Sequence, residues 1–115
     1  MSNANDNLTI TKRHQEICDG IHDMWLHKNA EYGDSFHQLY ADLGIISAVT
    51  QITHKYNRLK NLAKDRNKNT ITVANESIID TLIDMANYCI MTAMEIERED
   101  TTISNPECFT DKKDK

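Results

Sequence analysis

Glu76, Asp80 and Asp84 stand four residues apart in a stretch that closes on Asn87. On a helix, which turns 100° per residue, the three carboxylates fall within roughly 80° of one another, and Asn87 joins their stripe. Like charges at this spacing destabilise a helix by a few tenths of a kcal/mol per pair, so a compensating partner is expected. Met91 and Met94 continue the same face. A solvated acidic face would run on into polar residues, whereas this one runs into apolar ones and is expected to be at least half enclosed. Enclosed carboxylates need cations or donors. A divalent metal is the simplest compensation, because oxygen ligands on one face suit a hard cation such as magnesium, which keeps waters and is completed by substrate phosphates. Salt bridges to Lys28, Lys55 or Arg58, or plain solvation, compete with that reading.

Two further groups lie within reach of the same chemistry. The segment Lys28 to Phe36 carries Glu31 and Asp34 beside Tyr32 and Gly33. It reads either as a helix-ending loop with solvated charges or as a second source of metal ligands, Glu31 and Asp34, with an aromatic ring to pack a base. In His54 to Lys60, Lys55 and Arg58 flank the apolar face of a helix. Such side chains ordinarily snorkel to water. Turned inward, they balance the carboxylates or hold phosphates, Arg bidentately and Lys as a point charge. The five histidines form no zinc-protease pattern, and no P-loop, Gly-x-Gly-x-x-Gly or nucleophile elbow is present.

The elements that must position these groups read as helices. Only three Gly and one Pro interrupt 115 residues, and long stretches keep a helical period. After a polar lead at 1–8, which is expected to be disordered, a first helix is predicted over 9–28 and a short one over 35–42, ending at Gly44. A second long helix over 45–66 places Ile45, Val49, Ile52, Tyr56, Leu59 and Ala63 on one stripe. Residues 66–72 read as a polar connection, with a brief extended segment around Ile71 and Val73. A third long helix is predicted over 75–99 with Asn75 as its N-cap. The domain spans 9–100, and 101–115 is a loose tail. This is an all-α bundle of three long helices and a short one. The third long helix is apolar around more than half its circumference, too much for a three-helix monomer, so a homodimer or homotetramer is expected.

Composition limits the function further. A net charge of −5 disfavours a broad nucleic-acid surface but leaves room for a small phosphorylated ligand held by a few local cations. Cys18 and Cys89 fall on apolar helix faces and read as buried thiols, in keeping with a reducing compartment. No signal peptide or membrane-length apolar run is visible, so a cytoplasmic protein without a membrane partner is expected.

Three ordered blocks, Lys28 to Phe36, His54 to Leu62 and Glu76 to Tyr88, resemble the nucleotide modification associated domain, type 1, a family frequent in phages. The layout is also similar, more distantly, to the MazG-like all-α nucleoside triphosphate pyrophosphatases. Those proteins bind magnesium through Glu-x-x-Glu on one helix and Glu-x-x-Asp on a later one; the present stripe is spaced Glu-x-x-x-Asp-x-x-x-Asp, and Glu31-x-x-Asp34 is the nearest counterpart of the earlier motif. The resemblances imply a nucleotide ligand and, in an enzyme, magnesium held by Glu31, Asp34, Glu76, Asp80 and Asp84. Glu76 or Asp80 would take a proton from water, and Lys28, Lys55 and Arg58 would hold phosphates. Tyr32, Asn57 and Asn87 are the residues chemically suited to read a base. Two functions follow from this likeness: a magnesium-dependent pyrophosphohydrolase of phage or prophage origin, working in the host cytoplasm, or a non-catalytic protein that sequesters a nucleotide or a nucleotide-derived defence signal. An adaptor whose acids only form salt bridges is the remaining reading.

Overall fold

The computed structural model describes the backbone of residues 4–32, 34–66 and 71–101, and side chains within 7–31, 34–66 and 75–100. Among the described residues there are four helices and no strand: α1 (Ala4–Tyr32), α2 (Ser35–Leu43), α3 (Ile45–Arg66) and α4 (Ile71–Thr101). The all-α expectation holds. α1 starts ahead of its predicted beginning, and α3 has its predicted bounds. The extended segment expected at Ile71 and Val73 is instead the first turn of α4, so Asn75 lies inside that helix and is not its N-cap. The β-branched residues there disfavour a helix by only a few tenths of a kcal/mol each, which continuation of a long helix overrides. Residues 67–70 and 102–115, which hold most of the predicted connection and tail, lie outside the described residues.

The chain divides into two compact units, residues 1–34 and 35–115. In the first, α1 carries the side-chain pairs Arg13–Glu16 at 3.0 Å and Gln15–Asp19 at 2.8 Å on its exposed surface. His22 stacks on Trp25, ring centroids 5.9 Å apart, and Ile21 is buried.

In the second unit, α3 and α4 make the principal packing and α2 lies against both. The buried and half-buried positions of α3 include Ala48, Ile52, Lys55, Leu59 and Leu62, at alternating steps of four and three. Those of α4 include Ser77, Thr81, Asp84, Tyr88, Met91 and Glu95, with the same steps. This is the ladder of a helix pair packed near-parallel to its neighbour. It is not the ladder that the apolar pattern predicts. Ile45, Val49 and Tyr56 of the expected stripe are exposed, so α3 is turned by roughly 60° toward Lys55. α4 is turned likewise: its buried positions are Thr81, Asn87, Thr92 and Glu95, while Leu82 and Ile90 face outward. Cys89 is exposed on that outward side, and Cys18 is exposed on α1, which corrects the expectation of two buried thiols.

α2 and α3 are joined by one residue. Gly44 adopts φ +82°, its N–H donates to the Tyr40 carbonyl at 2.7 Å, and its own carbonyl accepts the Ser47 N–H at 3.0 Å and the Ser47 hydroxyl at 2.9 Å. The left-handed turn thus closes α2 and opens α3. From α2, Phe36 reaches Tyr88 of α4, with ring centroids 6.0 Å apart. His37 Nδ1 lies 2.7 Å from the buried Glu95 carboxylate, and Arg98 lies 3.3 Å both from that carboxylate and from His37 Nε2. Arginine only donates, so Nε2 is the acceptor and the imidazole proton sits on Nδ1, donated to Glu95. One turn on, the Tyr40 hydroxyl donates to Glu99.

A β-carbon added at Gly44 meets nothing within 4 Å, so substitution there costs only the backbone conformation. Gly44→Ala is expected to lower stability by about 1–2 kcal/mol in denaturant unfolding, and Gly44→Asn by less, because Asn tolerates the left-handed region. Equal losses would contradict the assignment. Tyr40 supplies a pH prediction. Its hydrogen bond to Glu99, its burial, and the charges of Glu99 and Glu95 push its hydroxyl up from 10.0 to about 12. A raised folded-state value means that the contribution is complete below about pH 10 and is lost as the pH climbs toward 12. Tyr40→Phe should therefore show a shallower fall in stability across that window than the parent chain; identical slopes would rule the contribution out.

Candidate functional site

The α3–α4 seam brings together four of the residues singled out above and leaves others apart. Lys55 occupies a seam position of α3, and its Nζ lies 3.2 Å from Asp84 Oδ2 on α4. The two side chains keep 29% and 33% exposure, so the pair is screened on one side and packed on the other. One turn away, Arg58 Nε donates to Thr81 Oγ1 at 3.2 Å, and the Thr81 hydroxyl donates to the Ser77 carbonyl at 2.8 Å. Among the described residues Thr81 is the largest side chain that is fully buried, and its hydroxyl is satisfied both as donor and as acceptor. It was not among the residues picked out by charge, although it stands three residues before Asp84 in the buried ladder. Arg58 is otherwise exposed.

Asn87 follows Asp84 by three residues and so shares its flank. It retains 7% exposure, and no buried side-chain nitrogen or oxygen among the described residues lacks a partner. Its amide therefore keeps an opening to solvent from an otherwise enclosed position. Asn57 is not part of this group: two residues after Lys55, it is turned about 160° away around α3 and is exposed.

The acid stripe itself is unevenly placed. Glu76 and Asp80 are exposed and Asp84 is half-buried against Lys55. In the other unit, Glu31 lies 3.7 Å from His27 Nε2 on the exposed surface, and Lys28 and Asp34 are exposed. The Tyr32 side chain and Gly33 lie outside the described residues. Among the described residues no three His, Cys, Asp or Glu side chains come close enough to hold a metal ion. The arrangement within α2–α4 is thus a pair of cations set against one carboxylate, one hydroxyl and one amide. That donor set suits an anion better than a divalent cation, which wants several carboxylate oxygens around one point.

The His37–Glu95–Arg98 contacts were missed by sequence reasoning, which set all five histidines aside. The usable signal was Glu95 itself, an acid in register with Thr81, Asp84 and Tyr88 on the buried ladder of α4. None of the helices among the described residues is long and apolar enough to cross a membrane.

Comparison with known proteins adds one positive finding. The family described as nucleotide modification associated domain 1 matches residues 28–96, which include α2, α3 and most of α4. No curated protein and no solved structure matches the chain. The matched span covers more than half of the sequence and contains the whole Lys55–Asp84 seam, so the chain belongs to the nucleotide modification associated domain 1 family.

Proposed function

We propose that the protein binds a nucleotide, or a nucleotide-derived phosphorylated molecule, on the α3–α4 seam and retains it without hydrolysis. The observation that carries this reading is the turn of α3 that brings Lys55 and Arg58 onto the polar ladder of α4, at Asp84 and Thr81. Both cations are held in place before a ligand arrives, which reduces the entropy lost on binding. Lys55 would contribute a point charge and Arg58 a planar fork to a phosphate. Asn87 would offer a donor and an acceptor to the rest of the ligand from its enclosed position. To use the charge of Lys55, a phosphate must displace Asp84 from it. The family supports the class of ligand. Magnesium-dependent release of pyrophosphate, the enzymatic alternative, asks for carboxylates gathered around one cation, and the placement of Glu76 and Asp80 offers less to it.

Calorimetry with nucleoside mono-, di- and triphosphates, with and without magnesium, followed by analysis of the recovered ligand, tests the reading. Binding with intact ligand recovered is expected. Lys55→Met and Arg58→Met should each weaken it by about tenfold or more, near 1.4 kcal/mol. Pyrophosphate release that vanishes in Asp80→Ala would replace binding by catalysis, and no binding to any member of the panel would end the proposal. Because Lys55 and Asp84 are about one-third exposed, Lys55→Met is expected to change unfolding free energy by no more than about 1 kcal/mol. Urea denaturation checks that a lost affinity is not a lost fold.

A further inference from the structure

α4 carries a second ladder, on the side opposite its seam with α3. Ile79, Leu82, Ala86, Cys89, Ala93 and Ile96 follow one another at alternating steps of three and four, with no charged residue on that side between Ile78 and Ile96. The same helix buries Thr81, Asn87, Thr92 and Glu95 and leaves Ile79 at 53%, Leu82 at 46% and Ile90 at 49% exposure. A helix that turns its polar side in and its apolar side out is stable in water only if something covers the apolar side. Four large side chains, those three with Ile96, present roughly 370 Å² here, so two copies would bring about 740 Å² of large aliphatic surface. Cys89, the alanines and the polar rim add to this, which reaches toward the total of about 1,200–2,000 Å² that a specific protein pair buries.

We propose that this ladder is the interface of a homodimer in which α4 packs antiparallel on α4 of a second copy. The pattern is complementary to its own reversal. Around a two-fold axis between Ala86 and Cys89, Leu82 meets the partner's Ala93, Ala86 meets the partner's Cys89, and Ile79 meets the partner's Ile96. Large residues thus oppose small ones near the crossing, where Ala86 lets the helix axes approach closely, and large ones close the ends. An uncharged stripe some five turns long rejects a charged partner through uncompensated desolvation, and accepts one that is equally uncharged. Antiparallel helix dipoles favour the same orientation. The inference is independent of the nucleotide reading, because the dimer ladder and the Lys55–Asp84 seam occupy opposite sides of α4.

Light scattering of the full chain at roughly tens of micromolar should give twice the mass calculated from the sequence. Ile90→Lys and Leu82→Lys, both at exposed positions, should halve that mass while circular dichroism still reports the helices. Ala86→Cys in a Cys18→Ser, Cys108→Ser background should cross-link to the native Cys89 of the partner under mild oxidation well beyond the level of that background alone, whereas Asp42→Cys on exposed α2, in the same background, should add nothing to that level. A parent chain of monomeric mass would show that the face is covered from within the chain, and would overturn the proposal. So would a dimer that survives Ile90→Lys, or equal cross-linking from both cysteine variants.

Discussion

The meeting of Lys55 and Asp84 across 3.2 Å decides how the second unit is built. Both residues occupy positions of a three–four ladder that in most helix pairs are filled by leucine or isoleucine. An ammonium group at such a position gives up part of its hydration, and a carboxylate facing it across the seam compensates the part that is lost. α3 and α4 therefore settle where the two charges meet. A shift of one residue along α4 would move Asp84 by 100° around the helix and leave Lys55 without its counter-charge. The pair adds little net stability, being one-third exposed, but it discriminates between registers in the way that a single polar core residue does in coiled coils.

Much else follows from that choice. Turning α3 toward Lys55 carries Arg58 to Thr81, and turning α4 toward Asp84 places Tyr88 and Glu95 where α2 can reach them. The aromatic contact of Phe36 with Tyr88 and the hydrogen bond of His37 with Glu95 then fix α2. The complement is that the more apolar flanks of α3 and α4, with Val49 and Tyr56 on one and Leu82 and Ile90 on the other, are left outside. Polar specificity at the seam and apolar surface outside are one arrangement seen from two sides.

How much of this the sequence shows depends on whether a feature is local. The helices were legible because three Gly and one Pro leave few places to stop, and the end of α2 was legible because Gly44 stands between two periodic stretches. The start of α4 was not, since Ile71, Thr72 and Val73 carry a strand preference that a long helix overrides. The facing of α3 and α4 was not either. Hydrophobic periodicity finds the apolar stripe of a helix, and here the closest neighbour packs beside that stripe. Lys55, Arg58 and Asp84 were recognised as potential partners from their positions, whereas His37 and Glu95, 58 residues apart, share no local pattern at all.

The one-residue junction at Gly44 has an evolutionary side. A connecting loop of several residues absorbs an insertion by bulging, but a junction closed by hydrogen bonds at 2.7 and 3.0 Å has no slack to bulge into. One added residue would rotate α2 by about 100° against α3 and swing His37 and Tyr40 away from Glu95 and Glu99. Length differences among relatives should therefore be purged at this junction and accumulate elsewhere. The spacing between the Tyr40 and Lys55 equivalents would then serve as a ruler by which true members of the family can be aligned, even where their side chains have diverged.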